Sequence, residues 1–452
     1  MTDRWLLAAA LDGLVGLGLL CLRRRSPLDL AVLALVSTGL VGAFYPVGAS
    51  LVDPTSWRVG IGAAESEVVG AQIDYLACAA GLLASCGVCA LLLRPSRVPS
   101  GRGSSAAVLH RDRWCSWILL AGGAALYSGF VARVGFDALL DHEDYARKYL
   151  KGEGLGVLYA GIEVMVLACL WAEGGALPAR SKMPFRIAAA AIAAWCLAGI
   201  SVRAPLVLLI GGYAAIAASR RGLTLGKLRL PQIAAALAAL LLLESFSLFR
   251  GAYHGDVPEA IGAIAAEPRA SFASVVGGSE LSHPFLTTLE VREAGEAGEL
   301  GGLSYWNAVP ALIPQAIHPT RPLTLSESFV QMHYLRMHHV GAGTAFSFVG
   351  EAWLNFGPLA GPFAVALCLG CALGWIQSRR ARRPDGLAAR MAPALVYLVV
   401  ILHRTEFAGI LKELVTLGGA GAIAWLAAET AWLAAGSRSS APSPDLLERA
   451  SP

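Results

Sequence analysis

Apolar residues in this chain come in runs near 20 residues long, at about 5–22, 28–48, 67–93, 115–133, 155–173, 185–201, 204–218, 230–249, 359–378, 388–403 and 408–434. A helix needs about 20 apolar residues to cross the ~30 Å hydrocarbon core of a bilayer. The pattern therefore predicts an all-α, polytopic transmembrane bundle of about eleven spans. The first run, Trp5–Leu22, is read as a span and not as a leader, because Arg23–Arg25 follow it and no small-residue cleavage pattern closes it. Four regions result: 1–249 with the first eight spans, a large hydrophilic loop with short helices at 250–358, three more spans at 359–436, and a polar tail at 437–452.

Composition agrees with the pattern. Hydrophobic residues make up 56% of 452, charged residues 15%, and the mean hydropathy is +0.58; a soluble domain carries about 25% charged residues. The formal charge of +4 is less informative than its placement, because the basic residues gather in alternate loops: Arg23–Arg25, Arg94–Arg113, Arg180–Arg186, Arg220–Arg229 and Arg379–Arg390. By the positive-inside rule these loops are cytoplasmic, which puts the N-terminus outside and the C-terminus inside. Nucleic acid is a poor partner for such a distribution. All nine cysteines lie in or beside apolar runs, and the pairs Cys86/Cys89 and Cys368/Cys371 lack the further ligands that zinc requires, so they read as helix-packing residues.

The polar chemistry falls on the opposite set of loops. In the turn Gly199–Pro205, Arg203 sits at the start of a helix, where free N–H donors and the helix dipole favour phosphate; the alternative is an arginine snorkelling to lipid headgroups. Arg250 and His254, four apart where the eighth span ends, share a face if the helix continues past Gly251, or else form an interfacial anchor pair. The stretch Asp256–Leu300 is acidic and reads mostly as solvated helix. Asp12, Asp74, Glu163, Lys412 and Glu413, in or near spans, read as packing or helix-pairing residues.

The densest chemistry lies between Tyr305 and Pro362. Pro314, Pro319 and Pro322 hold Arg321 on restrained backbone, suited to bidentate contact with phosphate or a sugar carboxylate, or to an ion pair with a nearby Glu. Arg336, His338 and His339 follow in a connector. Thr344, Ser347, Glu351 and Asn355 then recur at helical spacing, which predicts a short helix at 343–356 with one polar stripe facing a wet cavity. Glu351 is the leading candidate for a general base, with a structural pairing to a loop arginine as its alternative. His403-Arg404-Thr405-Glu406 reads as a short outer turn.

Three segments together, SVRAPLVLLI, PQAIHPTRP and GTAFSFVGEAWLNFGPLAG, resemble bacterial oligosaccharide repeat-unit polymerases of the Wzy type. The resemblance implies a GT-C-like fold in the bacterial inner membrane and a periplasm-facing glycosyltransferase. It would extend undecaprenyl-diphosphate-linked glycans into O-antigen or a related surface polysaccharide. It implies Glu351, Arg203 and Arg321 as catalytic, with His338 or His339 as the alternative to Glu351 for deprotonating the sugar hydroxyl, and Arg250, His254, Arg336, His338, His339, Asn355 and Arg404 as substrate-binding. The family often has Lys where this chain has Arg321. Arginines would take the place of a metal, so no metal or cofactor is expected. Membrane lipids, a chain-length regulator and a flippase are the implied partners. An O-antigen ligase and a lipid-linked glycan transporter are the competing readings.

Overall fold

The computed structural model describes residues 2–26, 29–51, 65–92, 106–140, 155–199, 204–229, 231–232, 262, 266–267, 282–295, 297–314, 317–334 and 345–439. Among them every regular element is helical. The principal ones are α1 (Thr2–Cys21), α2 (Leu30–Leu51), α3 (Glu65–Leu92), α4 (Ala106–Val134), α5 (Gly161–Gly174), α6 (Ala179–Ala194), α7 (Ala204–Arg220), α8 (His283–Glu293), α9 (Leu303–Asn307), α10 (Leu325–His333), α11 (Phe348–Phe356), α12 (Ala360–Arg382), α13 (Ala392–Val400) and α14 (Phe407–Ser439).

Among the described residues, six helical stretches are long and apolar enough to cross a membrane: Leu30–Gly48, Ser66–Leu92, Ala106–Val134, Gly156–Gly174, Ala360–Arg382 and Phe407–Ala434. Trp5–Cys21 and Ala204–Arg220 are apolar but shorter. The run at 388–403 is not one long helix: α13 has nine residues and gives way to a turn at 401–404. Most of 230–249 lies outside the described residues. The helices thus support a multi-pass membrane protein.

α5 is the centre of the bundle, buried on nearly every side and packed against α4, α6, α7 and α14. Lipid is as apolar as the helices it surrounds, so association relies on close backbone packing through small residues. Gly123 of α4 and Gly161 of α5 face each other so closely that a Cβ on Gly123 would stand 2.7 Å from the Gly161 carbonyl oxygen. α3 and α12 run side by side in the same direction by the same device, with Gly81 against the Phe363 carbonyl and Gly370 against Ser85.

The two ends of the bundle differ. At the end bearing the basic loops, Glu173 of α5 accepts from Arg186 at 2.9 Å and from Arg220 at 2.6 Å, and Asp112 of α4 takes a bidentate contact from Arg390 at 2.8 and 3.0 Å. At the other end α8 and α11 are wedged among α2, α3 and α12. Arg292 of α8 pins them, donating to Asp74 at 2.6 Å and to Glu67 at 3.1 Å while its guanidinium lies over the Trp353 ring. The second oxygen of Asp74 accepts from the Leu359 backbone N–H at 2.9 Å. Residues 283–293 are therefore no solvated helix: Pro284, Phe285, Leu286, Thr287, Thr288, Leu289 and Val291 are all buried. Acidic composition misled there because the apolar residues sit between the acids.

Candidate functional site

α11 starts at Phe348 and not at 343. Ser347 is its N-cap, accepting from the Val349 N–H at 3.2 Å, and Gly357 ends it with a φ of +80° that disfavours a side chain. The capped start splits the expected stripe. Ser347 turns toward α3, where Tyr75 donates to its hydroxyl at 3.0 Å and His403 Nδ1 lies at 3.3 Å. Glu351 and Asn355 face α9 instead. Thr344 lies outside the described residues.

Neither residue faces a wet cavity; each is 1% exposed. Ser304 of α9 donates to Glu351 Oε1 at 2.6 Å, and the Phe407 backbone N–H donates to Oε2 at 2.6 Å. Asn355 Nδ2 donates to Ser304 Oγ and to the Glu351 carbonyl, both at 2.7 Å. The serine hydroxyl is thereby aimed: its oxygen is held by an amide and its proton by a carboxylate. Burial pushes the Glu351 carboxyl up to about 7; the Ser304 and Phe407 hydrogen bonds oppose that, and the charge of Glu406 adds to it. A carboxyl poised near neutrality, touching a half-buried hydroxyl, has the properties of a general base acting through a relay.

A second carboxyl lies one residue from that contact. Glu406, 5% exposed, accepts from the Ser326 N–H at 2.8 Å and so caps the start of α10. Glu327 closes the same helix start, accepting from the Thr324 N–H at 2.8 Å in a capping box. Burial lifts Glu406 above the ordinary range. Burial acts on Glu327 in the same sense, yet the Arg321 and Thr324 hydrogen bonds hold it below. Arg321 donates to both Glu327 oxygens, at 2.9 and 3.1 Å, and to the Pro322 carbonyl at 3.1 Å. Arg321 thus takes the ion-pair alternative, and Glu327, Glu406 and Phe407 link it to Glu351.

Arg404, exposed, stands in the same turn as His403 and Glu406. Arg203, Arg250, His254, Arg336, His338 and His339 lie outside the described residues. Among the described residues, the Tyr305 hydroxyl, Trp353 Nε1 and Arg321 Nε are buried without a hydrogen-bond partner. Tyr305 is clamped between the rings of Phe356 and Phe407. Such donors cost about 1–3 kcal/mol each when unmet.

Sequence reasoning missed four contributors. Ser304 had no motif around it. Arg292 was hidden in an acidic stretch. His403 and Glu406 read as a solvated turn, yet they are 2% and 5% exposed, and His403 Nε2 lies 3.0 Å from Thr38 Oγ1 of α2. The one available signal was two ionisable residues in a turn too short to carry them away from the bundle.

No family model matches this chain, and no curated protein or solved structure is significantly similar to it.

Proposed function

We propose that the chain is a membrane glycosyltransferase of the broad GT-C kind, with about eleven spans, that polymerises undecaprenyl-diphosphate-linked repeat units at the periplasmic face of the bacterial inner membrane. One observation carries the reading: a buried carboxyl, Glu351, accepts at 2.6 Å from an oriented hydroxyl, Ser304, at the end of the bundle away from the basic loops, and burial raises that carboxyl to about 7. In the reaction, a sugar hydroxyl of the acceptor attacks the anomeric carbon of the donor glycan. The new C–O bond forms as the bond to the diphosphate breaks, and the diphosphate leaves with the electron pair. The hydroxyl proton passes through Ser304 to Glu351. In this reading Arg203, Arg250 and Arg404 meet the departing diphosphate, Arg336, His338 and His339 line the sugar path, and Arg321 is a positioning residue that secures Glu327 beside Glu406.

The test is the polysaccharide ladder made in a strain lacking the native gene. Glu351→Gln, at unchanged protein level, should reduce polymerisation at least about 100-fold, as loss of a general base does. Full ladders from that variant would overturn the assignment. An acceptor of lipid A-core in place of lipid-linked repeat unit would convert the reading to a ligase.

A transporter reading has one observation of its own. Glu163 of α5 and Glu413 of α14 hydrogen-bond to each other inside the bundle, beside Lys412, and carboxyls at such depth are costly unless they serve or pair. Glu163→Gln separates the two: intact ladders with unchanged lipid-linked glycan translocation in proteoliposomes leave the pair a packing contact, as expected from sequence.

A further inference from the structure

A cavity of about 1310 Å³ opens among α1, α3, α5, α7 and α12 at the end of the bundle carrying the basic loops. It is distinct from the Glu351 site. Arg380 lies 20 residues into α12, about 30 Å along the helix from the end that abuts α11. The walls include Leu83, Leu170, Ile216 and Leu373, so the interior is apolar. The cations lining it are Arg25, Arg220, Arg380 and Arg390.

These four arginines are not equivalent. Arg220 is held by Glu173 and Arg390 by Asp112. Arg25 stands 3.9 Å from Asp29 and is mostly exposed. Arg380 is half-buried and donates to the neutral Gln377 oxygen at 2.9 Å; no carboxylate of the described residues lies within ion-pair distance of it. Asp29 is itself engaged, accepting from Gln377 at 2.9 Å and from the Ala31 N–H at 3.1 Å. Arg380 therefore makes no direct ion pair among the described residues: Asp29 acts on it only at longer range and through the bridging Gln377. It stands on the rim of a mostly apolar chamber, and Ser219 and Ser378 add hydroxyls to the lining.

A soluble anion would satisfy the arginine and leave the walls empty, and a zwitterionic lipid would fill the walls but bring a quaternary ammonium beside the guanidinium together with its phosphate. We infer that the cavity binds an anionic lipid, its phosphate against Arg380 and its chains between α1, α3, α5 and α7. Basic pockets between transmembrane helices take phosphate headgroups by this logic, and a guanidinium suits a phosphate oxygen pair better than an ammonium does. The volume exceeds the 300–1,000 Å³ of common small-molecule pockets, as two acyl chains require.

The full-length chain, purified in neutral detergent and stripped of lipid, is titrated with phosphatidylglycerol, with phosphatidylcholine and with inorganic phosphate, and bound species are counted by native mass spectrometry. Phosphatidylglycerol should be retained at least about tenfold better than phosphatidylcholine, a difference of about 1.4 kcal/mol, and inorganic phosphate should neither bind nor compete. Arg380→Gln should lose that preference. Arg379→Gln removes the same charge one residue earlier, from a side chain that lies over the Trp375 ring, and should keep it. Ala215→Trp, on the cavity wall, should reduce retention of both lipids without touching a charge. Equal retention of the two lipids, competition by inorganic phosphate, or unchanged binding in Ala215→Trp would overturn the inference.

Discussion

Glu351 carries the sharpest consequences at the scale of single residues. Its folded pKa of about 7 stands above the ordinary 4.5, so the folded state holds this proton more tightly than the unfolded chain does. Its contribution to stability is complete below about pH 4.5 and is lost as pH rises through 7, a swing of about 3 kcal/mol. Melting temperatures between pH 5 and 8 should fall for the parent and fall less steeply for Glu351→Gln, in which the raised Glu406 carboxyl remains. Catalysis runs the other way, because a base must be ionised: the polymerisation rate should climb through pH 7. The neighbouring cap supplies a separate expectation. Ser347→Ala removes an N-cap and leaves Tyr75 and His403 without their shared hydroxyl, which should cost about 1–3 kcal/mol in denaturant or thermal melts.

Among the elements, α8 and α11 depend on one cation. Arg292→Ala would leave Asp74, 1% exposed, as a buried carboxylate with only the Leu359 N–H. A loss of about 3–5 kcal/mol is expected, as for other broken buried pairs. Adding Asp74→Asn should recover part of it, since the uncompensated charge goes; a double-mutant melt checks the recovery. The α4–α5 contact gives a second expectation of packing alone. Gly161→Val would drive a side chain into the Gly123 carbonyl, which a Cβ at 161 already approaches at 2.5 Å. Loss of folded protein in detergent should follow, while Gly122→Val, with no atom within 4 Å of its added Cβ, should fold normally.

For the molecule as a whole, the separation of two ends matters most. Glu173, Asp112 and the basic loops close one end; Arg292, Glu351, Glu406 and His403 organise the other. The sequence made part of this legible. Runs of about 20 apolar residues announce membrane helices, and Glu351 and Asn355 announce a shared helical face, because both signals are local and periodic. Run length alone overstated α13, whose nine residues are followed by a turn that carries His403 back among the helices. The wet stripe was misread for a related reason. Periodicity tells which residues share a face, but not what packs on it.

By itself, then, the sequence determined the membrane class, the helical content, the gathering of basic charge in alternate loops and the pairing of Glu351 with Asn355. Hydrophobic length and helical spacing act within a single segment, so they can be read without knowing the neighbours. Only the tertiary structure decided that Ser304, 47 residues from Glu351, completes that pair, that Arg321 belongs to Glu327, and that Arg292 bridges to α3. It also decided that Arg380 borders an apolar chamber. Those outcomes depend on which desolvated charge finds which partner, and burial and pairing are properties of the packed bundle, not of any stretch within it.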